Sequence, residues 1–452
     1  MKYSPLSKNF YISNRKSFMK KMDGNSIAVF NSNDIYPTGA DSTLPFEQHR
    51  DIFYLSGIDQ EETILLLYPD SKDENFKEVI FIRETNPKIQ IWEGHKFSKK
   101  ETSKLSGIES VYWLKDFDKI FSLLCSKIDN IYWNKNEHYR ANSQTQTRED
   151  RFIEKYKSIY PEIGSRRSNP ILQDLRSVKS AEEINQIQNA CNITEKGFRR
   201  ILKFLKPNVW EYEIEAEFIH EFIKNKSKGF AYSPIIASGK SSNILHYNLN
   251  NAKCIANDLI LIDVGAEYGN YSSDMTRTLP ISGRFNERQR SVYESVLNIK
   301  KIATKLLKPG IKFDEYHKQV GEIVTSELIK LNLLSLKDVK NQNNDNPLYK
   351  KFFMHGVSHH LGLDTHDYGL IENPLKANMV VTVEPGIYIP KEKFGIRLED
   401  VVLIQEKSEP INLMNSIPIE IDEIENLMSS WKINYTNPGI HLLINLNLKL
   451  NF

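Results

Sequence analysis

The stretch Leu259-Ile260-Leu261-Ile262-Asp263-Val264-Gly265, followed by Gly269-Asn270 and then by Tyr271-Ser272-Ser273-Asp274-Met275-Thr276-Arg277, governs the reading of the whole chain. Its first part is an apolar strand with a carboxylate inside it. Gly269-Asn270 supplies turn chemistry, so the two arms are expected to form a hairpin that brings Asp263 and Asp274 side by side. Two carboxylates in an apolar setting repel each other, and each loses its hydration. Something cationic is expected between them.

Three more segments have the same character. Met354-His355-Gly356-Val357-Ser358-His359-His360-Leu361-Gly362-Leu363-Asp364-Thr365-His366-Asp367 holds four histidines, more than a core normally accepts. Val380-Val381-Thr382-Val383-Glu384-Pro385-Gly386-Ile387-Tyr388 is a buried-looking strand with a carboxylate near its end. Gly395-Ile396-Arg397-Leu398-Glu399-Asp400-Val401-Val402-Leu403-Ile404 carries Glu399 into a further apolar run. Taken singly, a strand acid is a salt-bridge or turn residue and a lone histidine is hydrogen-bonded packing. Together, four acids in apolar strands and a histidine cluster are better explained as a metal site. Carboxylates and an imidazole without a thiolate suit Mn²⁺, Co²⁺, Fe²⁺ or Zn²⁺. Four negative charges balance two divalent ions, and a pair of ions can share an activated water and clamp an attacked carbonyl. Metal-assisted hydrolysis is the chemistry expected.

Outward from this region the chain divides. Ser180 and Glu183 have capping-box spacing, and Ile184, Ile187, Cys191, Thr194, Phe198, Ile201 and Leu205 form a one-sided helical stripe that Pro207 stops. That stripe reads as a core face. Leu205-Lys206-Pro207-Asn208 and Leu307-Lys308-Pro309-Gly310 each separate two helical stretches, with helices expected over 211–226 and 313–331. Strand-rich segments follow each pair, which suggests two related αβ halves with a site between them. Upstream, Ile27-Ala28-Val29-Phe30, Thr63-Ile64-Leu65-Leu66-Leu67-Tyr68 and Val79-Ile80-Phe81-Ile82 read as strands of an αβ domain. The polar, charged stretch from Arg140 to Arg167, followed by Asn169-Pro170, reads as the linker. Gly239-Lys240-Ser241 fails as a phosphate loop because the required first glycine falls at Pro234, and His220-Glu221 fails as a zinc helix because Lys224 closes it.

The composition agrees. A chain of 452 residues, 40% hydrophobic and 26% charged, is too long for one ordinary core and too apolar for disorder. Sixty Lys+Arg against 58 Asp+Glu leave +2, too little for a phosphate-tracking nucleic-acid binder. No run approaches the roughly 18 apolar residues that span a bilayer. Cys125, Cys191 and Cys254 are odd in number and widely spaced, so no disulfide scaffold is expected and a reducing, cytoplasmic location is.

These segments, in this order, resemble the pita-bread metallopeptidases of family M24, most closely the aminopeptidase P branch that cleaves Xaa-Pro bonds. Gln48-His49-Arg50-Asp51-Ile52-Phe53-Tyr54-Leu55-Ser56-Gly57 resembles that branch's N-terminal domain. The resemblance implies an α/β (α+β) protein: an N-terminal creatinase/aminopeptidase P-type αβ domain over 1–175, a pseudo-two-fold pita-bread catalytic domain over 176–435 and a C-terminal extension over 436–452. From Trp431 to Phe452 the match ends, and an extra strand or interface piece is expected. It implies Asp263 as ligand of one metal, Asp274 and Glu399 as bridges, and His359 and Glu384 on the other ion, with Glu384 also taking the water's proton. His246, His355 and His366 would meet the substrate or the developing oxyanion, and Arg397 and Tyr388 would support the hydrogen-bond network. The implied cofactor is two divalent ions, Mn²⁺ first, with Co²⁺, Zn²⁺ or Fe²⁺ as alternatives. The implied substrates are peptides with proline second, a bond that lacks an N–H and has a fixed φ. A homo-dimer or tetramer is implied, with no nucleic-acid or membrane partner. The rivals are a prolidase confined to Xaa-Pro dipeptides and a non-catalytic binding module, such as the peptidase-like domain of histone chaperones. The complete ligand set and the lack of a long acidic tail speak against the module. His360 stands where relatives often carry a larger aromatic and is read as a packed histidine.

Overall fold

The computed structural model describes residues 3–436, apart from 142, 344, 370 and 371. The chain forms two compact units, one built on Ser4–Ser177 and the other on Val178–Asp367 and residues 372–436. Among the described residues no helix is long and apolar enough to cross a membrane.

The first unit is a six-stranded sheet in the order Ser110–Trp113, Glu78–Ile82, Ile64–Leu67, Ser26–Asn31, Asn130–Trp133, Gly164–Arg167. Ile64–Leu67 runs antiparallel to both neighbours, and the remaining pairings are parallel. The apolar runs anticipated as strands are buried along their length, as central strands covered on both faces must be. Ile27, Val29, Leu66 and Phe81 pack with Phe117, Phe121, Trp133 and Tyr156 to form its core.

The expected linker is structured instead. A capping box between Thr147 and Asp150 opens the helix Arg148–Ile159, and Gly164–Arg167 completes the sheet edge. Phe152, Ile153 and Tyr156 turn toward the core, and of the helix's charges Glu149 is buried while the others lie at the surface or half-buried.

In the second unit, Ser180 and Glu183 make the anticipated capping box on the helix Ala181–Phe204, and Glu211–Lys224 follows the Pro207 break. These precede an antiparallel trio, Ile235–Ser238, Leu259–Val264 and Met275–Pro280. A second helix pair, Glu287–Leu306 and Phe313–Lys330, precedes the strands Val380–Val383, Asp400–Leu403 and Ile411–Asn412 and the hairpin Gly386–Ile389/Phe394–Arg397. The helix-pair-then-strands order thus occurs twice.

The deciding hairpin has a finer structure than its sequence suggested. Thr276, not Asp274, lies opposite Asp263. Beyond that pairing the chain makes a small extra ladder, Glu267–Tyr268 with Tyr271–Ser272, closed by Gly269 and Asn270 at φ 61° and 68°. Positive φ at both central residues is the turn that matches strand twist. Thr194, expected only as part of a core face, bonds the Ala266 amide at 2.9 Å and the Ser273 hydroxyl at 2.7 Å, pinning the helix to the junction between the two ladders, beside Asp274. Residues 431–436 continue the helix Ile421–Thr436 rather than forming a strand. The rest of the expected C-terminal extension, 437–452, lies outside the described residues.

Candidate metal centre

Backbone pairing brings the separated acids together. Asp263 lies on Leu259–Val264, and Asp274 lies just before Met275–Pro280. Glu399 joins them through its bridge to Thr276, its amide donating to the Thr276 carbonyl at 3.0 Å. His359 is laid against the strand Val380–Val383, its amide donating to the Thr382 hydroxyl at 3.1 Å and its carbonyl accepting the Thr382 amide at 2.9 Å. Glu384 follows that strand, and its amide bonds the Val357 carbonyl at 2.9 Å.

The side chains converge accordingly. One potential ligand atom each from Asp274, His359 and Glu399 lies within 4.8 Å of the others, all three residues buried. His359 Nε2 is 3.4 Å from Asp274 Oδ2 and 3.5 Å from Glu384 Oε1. His359 Nδ1 faces the His360 carbonyl at 2.9 Å, which leaves Nε2 directed at the acids. Asp263 and Asp274 are joined by the Tyr232 hydroxyl, 2.6 Å from an oxygen of each. Arg397 Nη2 reaches Asp263 at 2.5 Å, Nη1 donates to the Tyr388 hydroxyl at 2.8 Å, and Nε donates to Thr276 Oγ1 at 3.1 Å. That Thr276 hydroxyl lies 2.6 Å from Glu399.

The outer histidines are also close by. His355 Nε2 is 2.8 Å from the Tyr388 hydroxyl, and its Nδ1 is 2.8 Å from the Gly356 carbonyl and 3.5 Å from Glu384. The imidazole of His366 stands edge-on to His359, with 4.4 Å between ring centroids. His246 is exposed, yet its charge bears on His355. His360 is buried edge-on against Phe313 and burial holds it down to about 3, as a packed histidine should be.

The electrostatics follow from this crowding. Burial, with Asp274 adding to it against Arg397, lifts Asp263. Burial pushes Glu384 up to about 7 despite His359 and Arg397. Glu399 is driven well above the carboxylate range, by burial first and then by Asp274, Glu384 and Asp263. His359 is raised even though burial opposes it, because Asp274 and Glu384 face it. Arg397 brings a guanidinium onto a carboxylate of this group, at Asp263. Crowded acids that resist ionisation for want of positive charge, together with one imidazole and no thiolate, are the donor set of a borderline or hard divalent cation. The residues present fit a divalent metal.

Tyr232 and Thr276 were invisible as site residues, since nothing in their spacing marks a hydroxyl that ties two distant acids. Arg277 and Asp400 stood in the quoted segments without a role. Arg277 Nη1 donates to the Glu399 carbonyl at 2.7 Å and Nη2 to Asp400 at 2.6 Å, fixing the strand that presents Glu399.

Residues 185–406 match the model of metallopeptidase family M24, and residues 11–132 match that of the aminopeptidase P N-terminal domain. The chain is 32% identical over 436 residues to the Xaa-Pro aminopeptidase of Haemophilus influenzae, spanning 94% of this chain and 98% of that one. It belongs to family M24. As an aminopeptidase P-type M24 chain it combines that N-terminal domain with a pita-bread catalytic unit. The Xaa-Pro aminopeptidase of Escherichia coli is 31% identical, covering 94% of this chain and 98% of its own. Among solved structures, Pseudomonas aeruginosa aminopeptidase PepP superposes with a TM-score of 0.86 at 31% identity, over 95% of this chain and 99% of that one. Zn-substituted E. coli aminopeptidase P in complex with product gives 0.85 at 30% identity, over 95% and 99%.

Proposed function

We propose that this M24 chain is a Xaa-Pro aminopeptidase that releases the first residue of peptides with proline second, using two divalent cations, Mn²⁺ first among them. The convergence of Asp263, Asp274, His359, Glu384 and Glu399 in one buried, charge-deficient cluster carries this reading, and the family relatives support the specificity. Asp263 would hold one ion, His359 and Glu384 the other, and Asp274 and Glu399 both. When bound, the ions would neutralise the carboxylates and bring the pKa of a shared water toward neutrality.

The chain's own groups do the rest. Glu384 is placed to take the proton of the attacking water and return it to the leaving prolyl nitrogen. Arg397 donates to Tyr388, Tyr388 donates to His355 Nε2, and His355 Nδ1–H donates to the Gly356 carbonyl, a chain that also fixes Arg397 on Asp263. His355, engaged at both nitrogens, therefore orients this chain. His246 and His366 are exposed and would meet the substrate and the developing oxyanion. Burial of Cys125, Cys191 and Cys254 as free thiols supports a reducing, cytoplasmic location.

A peptide panel on Mn²⁺-loaded protein tests the proposal. An Xaa-Pro-Yaa tripeptide should be cleaved faster than the matching Xaa-Pro dipeptide, and both faster than peptides without proline. Preference for the dipeptide would make the protein a prolidase. Absence of cleavage together with no metal uptake would leave a binding module. The assembly, proposed as a homo-dimer or tetramer, is read by light scattering of the same sample.

A further inference from the structure

Glu211 opens the helix Glu211–Lys224 and is fully buried, yet no step above uses it. Its two oxygens serve two different segments. Oε1 accepts from the amide and the hydroxyl of Ser238, both at 2.7 Å, at the end of the strand Ile235–Ser238. Oε2 accepts from the Tyr247 hydroxyl at 2.9 Å and from the Ala252 amide at 2.8 Å. One helical turn later Glu215 accepts from Asn250 at 2.9 Å, while Asn250 Oδ1 takes the Ile236 amide at 3.0 Å. The Tyr247 ring packs with Ile235, Leu261 and Tyr388, so it is fixed at both its face and its hydroxyl. His246 is the residue immediately before it.

We propose that Glu211 is a positioning residue that, through Tyr247 and Ala252, holds the 244–252 segment so that His246 is presented to the substrate. The inference rests on the reading of His246 as a substrate-side histidine. A carboxylate is needed because all four groups on it are donors. An amide there would accept on one side only and turn its own N–H groups toward the donors of the other. The segment has no regular strand or helix after Gly239–Asn243 until Leu259–Val264; its backbone pairs with 208–211 only from Ala252 onward, the Glu211 amide donating to the Ala252 carbonyl at 3.0 Å, so ahead of that pairing the side-chain bonds hold it.

The test is a double-mutant cycle on Mn²⁺-loaded protein, with kcat/KM on an Xaa-Pro-Yaa tripeptide, bound metal and hydrogen exchange measured together. Tyr247→Phe, which keeps the ring, should lower kcat/KM about fivefold and Glu211→Gln about thirtyfold, with metal content unchanged and faster exchange over 244–252. In a His246→Ala background each should cost less than about twofold more, because the group they aim is gone. Equal losses in both backgrounds, or full turnover by Tyr247→Phe, overturn the inference. Should Glu211→Gln fail to fold, the Tyr247→Phe arm decides alone. Full turnover by His246→Ala itself would instead remove the substrate-side reading of that histidine.

Discussion

Asp400, Glu149 and, apart from the half-buried Glu384, the metal-centre acids are buried carboxylates, and the chain treats them in three ways. Asp400 is countered directly: burial works to raise it, but Arg277 and Lys300 bring it below the usual range. The centre acids face one another. Glu149, in the N-terminal unit, has only neutral donors, Asn31 Nδ2 at 2.8 Å and the Asn134 amide at 3.3 Å, so burial prevails and lifts it to about 7. Its folded-state value thus exceeds the unfolded one, so its contribution is complete below the unfolded value and is lost as pH rises through about 7. The span amounts to roughly 3 kcal/mol. Glu149→Gln, whose amide can also donate to the unpartnered oxygens of Asn31 or Asn134, should flatten this decline. Urea unfolding across pH, followed by tryptophan fluorescence, reads it; parallel pH curves for the two proteins would remove Glu149 as the source.

The hairpin that carries two of the acids depends on a close approach that only glycine permits. A Cβ on Gly265 would sit 1.8 Å from the Ser273 carbonyl oxygen, and that backbone is held by Ala266 and Thr194. Gly265→Ala should therefore cost about 3 kcal/mol and weaken metal uptake with it, since Asp263 and Asp274 flank the clash. An unchanged urea midpoint would show that this junction yields freely. This element also marks how far the sequence could be read. The strand, the turn residues and the Ser180 cap were legible because their signals are local and periodic. The register that puts Thr276 opposite Asp263 was also there to be read, because the two-residue Gly269-Asn270 turn that pairs Tyr268 with Tyr271 carries through to it with no extra residue in either arm; the Thr194 clamp from a distant helix was not. The stretch 140–167 was misread for a related reason: composition showed its charges, while the stripe of Phe152, Ile153 and Tyr156 has meaning only against a core already formed. Of the ten proposed site residues, His246 alone stood outside the quoted segments. The hydroxyls of Tyr232 and Thr276, which join them, were evident only once the strands had met.

Across the catalytic unit the same helix-pair-then-strands order occurs twice, and each half supplies acids that the other must neutralise or share. Asp263 and Asp274 come from the first half, His359, Glu384 and Glu399 from the second, and the Thr276–Glu399 bridge joins them. Without cations the junction is a site of repulsion, so metal should act as a folding ligand as well as a catalyst. At free Mn²⁺ about a hundredfold above its dissociation constant, binding adds about 2.7 kcal/mol. For a unit of this size that is a rise in Tm of about 5–10 °C. Chelation should remove both this rise and all turnover, and Mn²⁺ should restore them. Glu399→Ala should abolish turnover and the metal-dependent rise together. Yet the chelated variant should melt no lower than chelated wild type, because the substitution deletes one of the acids that repel each other. The same substitution at Asp274 should behave alike. A metal-dependent rise of undiminished size in Glu399→Ala, or near-normal turnover by either variant, would mean that these two carboxylates do not hold the ions.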